Sequence, residues 1–384
     1  MSDVYTIFII AGEESGDHLG APLMDALSKM SPKPVRFLGV GGPLMTKAGL
    51  TSLFPIEDVA VMGFSAVIAR LPLLMRRINQ TAEAAIEARP DLLLIIDSPD
   101  FTHRVARKVK AALPDCPVFD YVCPSVWAWR PKRAEKMAAY VDHVLAILPF
   151  EPQVLKALKG PPATFVGHPL SDQVEKCTAD EVQTGDGGPT LLLLPGSRSG
   201  ETSRHLPIFR ETVSDLVNRG VEARFVLPAV DRHRDRIETE TKAWPVLVEV
   251  VGSEEKAAAF RSADAALAAS GTVLLELALA ETPMVSVYKL DPIARRLRFL
   301  VRTWTAALPN LILDYPAVPE FIDEFARPAL LSRAVERLLS DTPQRRAQLA
   351  AFEEMAVIMR RSQAEDPAQR AAKVVLAHIP ADAN

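Results

Sequence analysis

The sequence has few cysteines, little excess charge and no long hydrophobic run. Among 384 residues there are three cysteines, Cys116, Cys123 and Cys177, and they form no CxxC pair and no metal-ligand spacing. This scarcity excludes a disulfide framework and favours a reduced, cytoplasmic protein. The formal net charge of −4 supplies no overall positive field that would recruit nucleic acid, so an anion site must be local.

The apolar stretches are too short to cross a bilayer. One of the longest, residues 59–69, falls well short of the roughly 18–20 residues that a membrane-spanning helix needs. The apolar run at residues 5–11 follows Asp3 and ends at two glutamates, so it predicts a buried strand rather than a signal peptide. Hydrophobic residues at 48% and charged residues at 24% are typical of a globular protein.

Short apolar runs alternate with helical patterns along most of the chain. Such continuous strands are typical of parallel sheets covered on both faces, and the alternation predicts a doubly wound α/β fold. The predicted strands are residues 6–10, 35–39, 92–96, 118–122, 144–148, 190–194, 223–227, 246–250, 265–268 and 284–288.

A polar, glycine-rich stretch at residues 177–189 interrupts the alternation and has the composition of a linker. We therefore predict two Rossmann-like lobes, residues 1–175 and 188–355, and a helical tail at 356–384 that packs back on the first lobe. Because open α/β sheets bind ligands beyond the carboxyl ends of their strands, the loops that follow strands are the candidate sites.

Two acidic loops follow strands of the first predicted lobe. One carries Glu13 and Asp17, and the other carries Asp97 and Asp100. Carboxylates repel a diphosphate but suit sugar hydroxyls, and one of them can act as a general base. The alternative is structural, because acids cap helix N-termini and Asp-Ser-Pro-Asp is ordinary turn sequence. The residues alone leave both interpretations open.

A third loop of this lobe is aromatic, with the sequence Pro-Ser-Val-Trp-Ala-Trp-Arg at residues 124–130. Ser125, Trp127 and Arg130 are predicted to line a sugar or acyl site, since aromatic faces and a guanidinium suit such a ligand. The alternative is a packed corner of the core, which is the more usual environment of tryptophan.

Two loops of the second predicted lobe have the features of an anion site. Each lies between a strand and a helix, at residues 194–198 and 269–272. Glycine-loop N–H groups, helix N-termini and a guanidinium bind diphosphates, whereas the alternative is a pair of tight turns. The residues predicted to contact a nucleotide sugar are Gly196, Ser197, Arg198, Ser270, Gly271, Thr272 and, on the ribose, Glu276.

Two further residues, Asn310 and Glu320, are predicted to reach a bound sugar from a proline-rich stretch. Histidine, cysteine and the acids show no metal-ligand spacing, so we expect no metal and no cofactor. Residues 293–304 are predicted to form an amphipathic helix with four arginines, and residues 59–78 form a second apolar-basic segment that Pro72 divides. Each suits a membrane surface or an acyl chain, and the alternative is a buried helix with solvated arginines.

These motifs together resemble the lipid-A-disaccharide synthases, glycosyltransferases of bacteria that build an outer membrane. The resemblance extends over residues 9–324. Its most specific segments are Ala-Gly-Glu-x-Ser-Gly-Asp (11–17), Val-Met-Gly (61–63), Pro-Ser-Val-Trp-Ala-Trp-Arg (124–130), Phe-Glu-Pro (150–152), Val-Gly-His-Pro-Leu (166–170), Leu-Pro-Gly-Ser-Arg (194–198), Ser-Gly-Thr-x-x-Leu-Glu (270–276), Leu-Pro-Asn (308–310) and Val-Pro-Glu (318–320). The sequence departs from the family at Ser65 and Ala66, where a glutamate is expected, and at Cys123, where serine is usual.

The resemblance implies a two-lobed GT-B fold and an inverting transfer. The sugar of UDP-2,3-diacylglucosamine would pass to the 6-hydroxyl of 2,3-diacylglucosamine 1-phosphate, and the products would be a β-1,6-linked disaccharide and UDP. The family's important residues fall on Glu13, on Asp97 or Asp100, on Arg198 and on Asn310. We interpret Asp97 or Asp100 as the base, with Glu13 assisting, and Arg198 as a group that stabilises the departing diphosphate.

The expected location is the inner face of the cytoplasmic membrane, and a homodimer is left open. Two alternatives remain at this point. One is a UDP-N-acetylglucosamine 2-epimerase, or another GT-B enzyme that acts on a soluble UDP-sugar. The other is a non-catalytic UDP-binding protein at the membrane. A Rossmann dehydrogenase is disfavoured because neither predicted lobe carries GxGxxG.

Overall fold

The structure is a computed structural model that describes residues 4–60, 64–170, 188–360 and 365–379, without the side chains of residues 64–69 and of Ile293. Contacts divide the chain into two compact units. The first unit is Met1–Pro169 with Ser362–Asn384, and the second unit is Leu170–Arg361. Most of the predicted linker, the Val-Met-Gly motif at 61–63, and residues 361–364 and 380–384 of the predicted tail lie outside the described residues.

The first unit is built on a seven-stranded sheet in which every strand pair is parallel. Its strands are β1 (Tyr5–Ala11), β2 (Val35–Val40), β3 (Thr51–Ser52), β4 (Leu92–Ile96), β5 (Val118–Tyr121), β6 (His143–Ala146) and β7 (Ala163–Phe165). The order across the sheet is β3-β2-β1-β4-β5-β6-β7. The order reverses between β1 and β4, which is the topological switch point where such sheets bind ligands.

Helices follow these strands and cover the sheet. They are α1 (Glu14–Met30), α2 (Pro43–Lys47), α3 (Phe64–Ala88), α4 (Thr102–Ala112), α5 (Lys132–Met137) and α6 (Glu151–Ala157). The prediction that Pro72 divides its segment is wrong, because α3 continues through this residue. Leu71 and Pro72 are exposed, so water can solvate the carbonyl group that loses its N–H partner one turn earlier.

The second unit repeats the architecture with six parallel strands. They are β8 (Thr190–Leu194), β9 (Arg224–Pro228), β10 (Val248–Val251), β11 (Ala265–Ala269), β12 (Met284–Tyr288) and β13 (Glu320–Ile322), in the order β10-β9-β8-β11-β12-β13. Here the order reverses between β8 and β11. All residues of β8 and β11 are buried, as continuous apolar strands predict.

The helices of the second unit are α7 (Ser199–Asn218), α8 (Asp231–Thr241), α9 (Lys256–Arg261), α10 (Val273–Leu279), α11 (Pro292–Leu297), α12 (Leu308–Leu313), α13 (Pro328–Leu339) and α14 (Pro343–Arg360). The helix predicted over residues 293–304 is wrong beyond its first part. Helix α11 ends at Leu297, one 3-10 turn follows at Arg298–Leu300, and residues 301–304 are not helical. A short helix needs packing of its apolar face, and these apolar side chains are exposed.

The last helix of the described residues belongs to the first unit. Helix α15 (Pro367–Leu376) packs against α1, and its N-cap Asp366 accepts a hydrogen bond from the Ala368 amide at 2.7 Å. The face of α15 that joins the core of the first unit consists of Ala368, Ala371, Ala372 and Val375. In the described part of the chain, no helix has the length and apolar character to cross a membrane.

Candidate active site

The loops that follow β1 and β4 lie side by side at the switch point of the first sheet. A Cβ atom on Gly12 would lie 2.4 Å from the Cβ of Ser98, so this close approach requires glycine. The hydroxyl of Ser15 donates to Oδ2 of Asp97 at 3.3 Å, and Glu13 occupies the N-cap position of α1 beside them. Two motifs that are far apart in sequence therefore form one group of polar side chains.

Asp97 is held in an unusual backbone conformation. Asp97 and Ser98 both have positive φ, 49° and 48°, which costs energy for residues with a Cβ and is concentrated at functional sites. Local hydrogen bonds compensate: Oδ1 of Asp97 accepts from the Ser98 amide at 2.7 Å, and Thr102 donates its hydroxyl to the Asp97 carbonyl at 2.7 Å. The turn thereby directs the Asp97 carboxylate toward Ser15.

Asp100 has a different environment. Its side chain is 83% exposed and pairs with Nη2 of Arg133 at 3.1 Å. Asp97 and Asp100 were interchangeable by sequence, whereas the structure brings only Asp97 into hydrogen-bond contact with the β1 loop among the described contacts.

The third acid of this group, Asp17, has a structural role. It is 3% exposed, and its carboxylate accepts hydrogen bonds from the amides of Gly42, Leu44 and Met45 at 2.8, 2.9 and 3.0 Å. It caps the N-terminus of α2, where amides have no partner within the helix. Asp17 thus has a structural role, but it caps α2 and not the first turn of its own helix, as the structural alternative expected; the sugar-hydroxyl interpretation is wrong for this residue.

The aromatic loop at residues 124–130 has features of both a packed corner of the core and an accessible ligand site. Trp127 is half-buried, meets Phe150 edge to face with ring centroids 5.4 Å apart, and donates its indole N–H to Oε1 of Glu151 at 3.4 Å. Ser125 and Arg130 are exposed, and the Arg130 guanidinium lies 4.1 Å above the Trp129 ring. One tryptophan thus anchors the loop while polar groups remain available at its surface.

Glu151 supports this loop from the interior of the first unit. It is 2% exposed, and its second carboxyl oxygen accepts from the Leu148 amide at 3.0 Å. Burial raises the pKa of this carboxyl to about 8, because the apolar surroundings disfavour its charged form more than the hydrogen bonds favour it.

In the second unit, the loops that follow β8 and β11 line one cavity, which we call the β8–β11 cavity. Its volume of about 310 Å³ suits a small ligand. The structure brings seven predicted residues together around it: Gly196, Ser197, Arg198, Ser270, Gly271, Thr272 and Glu276. Residues from neighbouring elements complete the lining: Leu194, Pro195, Glu201, Pro228, Ala229, Val230, Ser253, Lys256, Ala269 and Val273.

The two glycines of this cavity differ. Gly196 has a φ of 105°, and a Cβ atom there would lie 2.8 Å from Oε2 of Glu201, so the tight turn requires glycine. A Cβ atom on Gly271 would meet no heavy atom within 4 Å, so this residue opens onto the cavity. Arg198 is 61% exposed and pairs with Oε1 of Glu201 at 3.1 Å.

His205 connects the cavity loop to the next strand. It is fully buried, its Nδ1 lies 2.8 Å from the Pro195 carbonyl oxygen, and its Nε2 accepts the Lys289 amide at 2.9 Å. Because Nε2 is an acceptor, Nδ1 carries the proton and donates it to Pro195, and burial lowers the pKa of this ring. The neutral ring therefore ties the end of β8 to the end of β12.

Glu276 is paired inside the cavity. Its Oε2 lies 2.6 Å from Nζ of Lys256, which comes from the first turn of α9. Carboxylate and ammonium together offer both hydrogen-bond acceptors and donors to a ligand.

Asn310 is predicted to touch a sugar, and in the structure its side chain is bonded within its own loop. It is 1% exposed, its Nδ2 donates to the Thr305 hydroxyl at 3.2 Å and to the Val318 carbonyl at 2.9 Å, and its Oδ1 accepts the Val318 amide at 2.7 Å. A buried amide with these partners holds the 305–318 loop in shape.

Glu320 has a similar role. Its carboxylate accepts the Thr305 hydroxyl and, at 3.0 Å, the Ala306 amide. The loop that it holds reaches the cavity, because Ser270 donates its hydroxyl to the Ala306 carbonyl at 3.2 Å. The described contacts of Asn310 and Glu320 are thus with this loop, and their contact with a bound sugar stays a prediction.

Among the residues that the structure describes, no group of three or more His, Cys, Asp or Glu side chains is arranged to hold a metal ion.

Comparison with known proteins identifies the family. A sequence model described as Lipid-A-disaccharide synthetase matches residues 7–374. The chain belongs to this family. A lipid-A-disaccharide synthase of Nitrobacter winogradskyi is 50% identical over 378 residues, covering 96% of this chain and 94% of the relative. A lipid-A-disaccharide synthase of Rhodopseudomonas palustris is 47% identical, covering 97% and 96%.

Solved structures share the fold at low identity. The calicheamicin glycosyltransferase CalG4 has a TM-score of 0.64 and 17% identity, with 99% of both chains covered. UDP-GlcNAc 2-epimerase from Neisseria meningitidis, bound to UDP-GlcNAc, has a TM-score of 0.62 and 12% identity, with 97% of this chain and 98% of the epimerase covered. The predicted GT-B fold and family are thus confirmed, and the chain is a glycosyltransferase of lipid A biosynthesis.

Three residues of this lipid-A-disaccharide synthase family member escaped the sequence reasoning. Glu151 lies in the Phe-Glu-Pro segment, so the family resemblance marked it without assigning a role. Lys256 lies in no predicted motif, and His205 belongs by sequence to the basic stretch after the loop at residues 194–198, so its role in holding that loop follows only from contacts that the fold creates.

Proposed function

We propose that the chain transfers 2,3-diacylglucosamine from UDP to the 6-hydroxyl of 2,3-diacylglucosamine 1-phosphate with inversion. The products are the β-1,6-linked disaccharide and UDP. Family membership supports this reaction. The observation that carries the site assignment is the β8–β11 cavity, where two glycine loops and Arg198 surround a space suited to a nucleotide.

In this proposal the β8–β11 cavity holds the UDP moiety. The amides near Gly196 and Gly271 and the guanidinium of Arg198 bind the diphosphate, and Glu276 with Lys256 receives the ribose hydroxyls. Negative charge grows on the diphosphate as the glycosidic bond breaks. One well-placed donor contributes about a hundred- to thousandfold in rate at such a position. The UDP-GlcNAc bound by the Neisseria epimerase, which has the same fold, supports a UDP-sugar as the ligand class.

The acceptor is deprotonated in the first unit. Inversion requires the 6-hydroxyl to attack the anomeric carbon opposite the leaving UDP while a base removes its proton. Asp97 is the proposed base, because its strained turn and the Ser15 hydroxyl orient its carboxylate. Glu13 lies at the adjacent N-cap and orients the acceptor, whereas Asp100 is paired with Arg133. Ser125, Trp127 and Arg130 are proposed to contact the acylated sugar from their loop.

Both substrates carry acyl chains, so we place the enzyme at the inner face of the cytoplasmic membrane. The proposed assignment requires no metal, since amides and guanidinium groups stabilise the leaving diphosphate.

The decisive experiment mixes the purified chain with both acylated sugars and follows disaccharide and UDP. Arg198→Ala and Asp97→Ala are each expected to reduce kcat by about a hundredfold or more. Both variants should stay folded, although Asp97→Ala loses the hydrogen bond to the Ser98 amide and should melt at a somewhat lower temperature. Two variants are the matched controls and should retain turnover. Arg219→Ala removes the C-cap residue of the helix that contains Glu201, where the arginine is paired with Glu336, and Asp115→Ala removes an exposed acid. Wild-type turnover in folded Arg198→Ala or Asp97→Ala would contradict the assignment.

The rival functions predict other results in the same experiment. Consumption of water-soluble UDP-N-acetylglucosamine in the absence of lipid would indicate the epimerase or another enzyme of soluble UDP-sugars. Tight UDP binding with no disaccharide formed would indicate a non-catalytic UDP-binding protein.

A further inference from the structure

The segment at residues 297–304, which we call the 297–304 turn, exposes an unusual group of large apolar side chains. The exposed fractions are 46% for Leu297, 74% for Phe299, 48% for Leu300, 53% for Val301 and 55% for Trp304. Single exposed apolar residues are ordinary, but a contiguous group that includes two aromatic rings indicates a surface that another phase or molecule covers.

A further aromatic ring adjoins the 297–304 turn. Phe325 is 61% exposed, and its neighbour Glu324 pairs with Nη1 of Arg298 at 3.2 Å. The ion pair brings the segment that carries Phe325 near the turn, so exposed apolar side chains come from more than one chain segment.

Basic residues are concentrated in the turn and directly before it, and the nearest acids are Asp291, Asp323 and Glu324. Residues 292–304 contain four arginines and no acidic residue. Arg295 lies 3.6 Å from Asp323 and Arg298 lies 3.2 Å from Glu324, so two of the four charges are offset by acids. Arg296 and Arg302 are exposed as well. Aromatic rings with arginines at the same surface are the composition that suits the headgroup region of an anionic bilayer.

We propose that the 297–304 turn is the surface by which this chain docks on an anionic membrane. Phe299, Leu300 and Trp304 enter the boundary between headgroups and acyl chains, while the arginines bind anionic headgroups. The inference rests on the proposed function, because acylated sugars are delivered from a membrane. The sequence predicts an amphipathic helix as the membrane-binding element, whereas here a turn has that role. Insertion into a membrane depends on exposed apolar side chains and does not require a helix.

Other exposed apolar residues are weaker candidates. On α3 of the first unit, Leu71 is 46% and Met75 39% exposed, and Nη1 of Arg104 lies 3.6 Å from the Met75 sulfur. That pair has no aromatic ring among its described side chains. Leu247 and Val357 are 91% and 57% exposed and serve as controls, because each is apolar and lies away in sequence from the turn.

The test uses the full chain with vesicles of phosphatidylglycerol and phosphatidylethanolamine, or of phosphatidylcholine alone, in a flotation assay. Wild-type protein should float with the anionic vesicles, and less so with phosphatidylcholine or at high salt, because salt screens the arginines. Phe299→Ser with Trp304→Ser should lower the bound fraction by about tenfold, since the inserted aromatic surface is lost. Leu247→Ser with Val357→Ser should bind as wild type does.

A second measurement does not require a serine variant. Brominated acyl chains should quench part of the tryptophan fluorescence of the wild-type protein, and Trp304→Phe should abolish that part. Binding of UDP and turnover of detergent-dispersed substrates should persist in every variant. If the wild-type protein binds vesicles but forms no disaccharide, the proposed function is contradicted and the docking surface is not.

Three results would overturn the docking surface. The first is wild-type flotation by the Phe299→Ser, Trp304→Ser variant. The second is loss of flotation by Leu71→Ser with Met75→Ser while the turn variant still binds. The third is a wild-type dimer in solution that the turn variant converts to monomer without any change in vesicle binding, which would make a second copy the occupant.

Discussion

Gly196 and Gly271 show that two glycines in one cavity can have different physical roles. Gly196→Ala forces a Cβ atom to within 3 Å of Glu201 at a positive φ, so we expect a loss of about 1–3 kcal/mol in the free energy of unfolding and weaker UDP binding. Gly271→Ala places its Cβ in open space and should keep wild-type stability. Urea denaturation of both variants, with UDP titration calorimetry on Gly196→Ala, tests this. Equal stability loss in the two variants would contradict it.

Glu151 should make stability depend on pH. Burial raises the pKa of its carboxyl to about 8, above the value of about 4.3 in an unfolded chain, so the folded state binds this proton more tightly. The resulting stabilisation is complete below the unfolded pKa and is lost as pH rises through the folded pKa.

We therefore expect the wild-type free energy of unfolding to decline between about pH 5 and pH 8 more steeply than that of Glu151→Gln. The glutamine keeps the size of the neutral acid and one acceptor oxygen, and it cannot ionise. Urea unfolding across this range measures both proteins. Parallel pH profiles would show that Glu151 does not titrate in this way.

Residue chemistry alone could not separate the acids. Asp17 and Asp97 both follow strands in predicted loops, and either can cap a helix or bind a hydroxyl. What distinguishes them is burial against α2 for Asp17 and a half-buried turn with positive φ for Asp97. The same applies to Asn310, whose neighbours in space fill its hydrogen-bonding capacity.

At the level of elements, His205 is one of the α7 side chains that hold the cavity loop, together with Thr202, which donates to the Gly196 carbonyl. His205→Phe removes the partners of Pro195 and Lys289, and we expect UDP affinity to fall by about tenfold as the loop after β8 loosens. Thr212→Val is the control, because its buried hydroxyl bonds only to Ile208 of the same helix among the described contacts. UDP titration of both variants measures this effect. An unchanged UDP affinity in His205→Phe would contradict the proposal that His205 positions the loop.

The elements themselves were largely predictable. Continuous apolar runs and their alternation with helices located the predicted strands to within a few residues. Two predictions about helices were wrong, because their outcome depends on the surroundings of each segment and not on its local sequence pattern. Pro72 is tolerated because its side of α3 faces water, and the helix at residues 293–304 stops because the fold supplies no surface to cover its apolar stripe.

At the scale of the whole molecule, the chain returns to its first unit through α15. Val375 is fully buried in the core there, so Val375→Asp should destabilise the first unit by roughly 3 kcal/mol or more. The β8–β11 cavity is built from the second unit alone, so UDP binding should survive. Lys373→Asp, on the same helix and exposed, is the control. Limited proteolysis and UDP titration test both expectations, and loss of UDP affinity in Val375→Asp would contradict them.

The sequence by itself determined the α/β class, the division into two series of strands, the family and the loops that carry chemistry. These features depend on local periodicity and on short motifs, and both are present in the sequence without any knowledge of the fold. Only the tertiary structure decided that Asp17 caps α2, that Asn310 and Glu320 brace a loop, and that Glu151, His205 and Lys256 support or line the sites. Those roles depend on burial and on partners distant in sequence, and such contacts exist only once the sheets have brought the strand ends together.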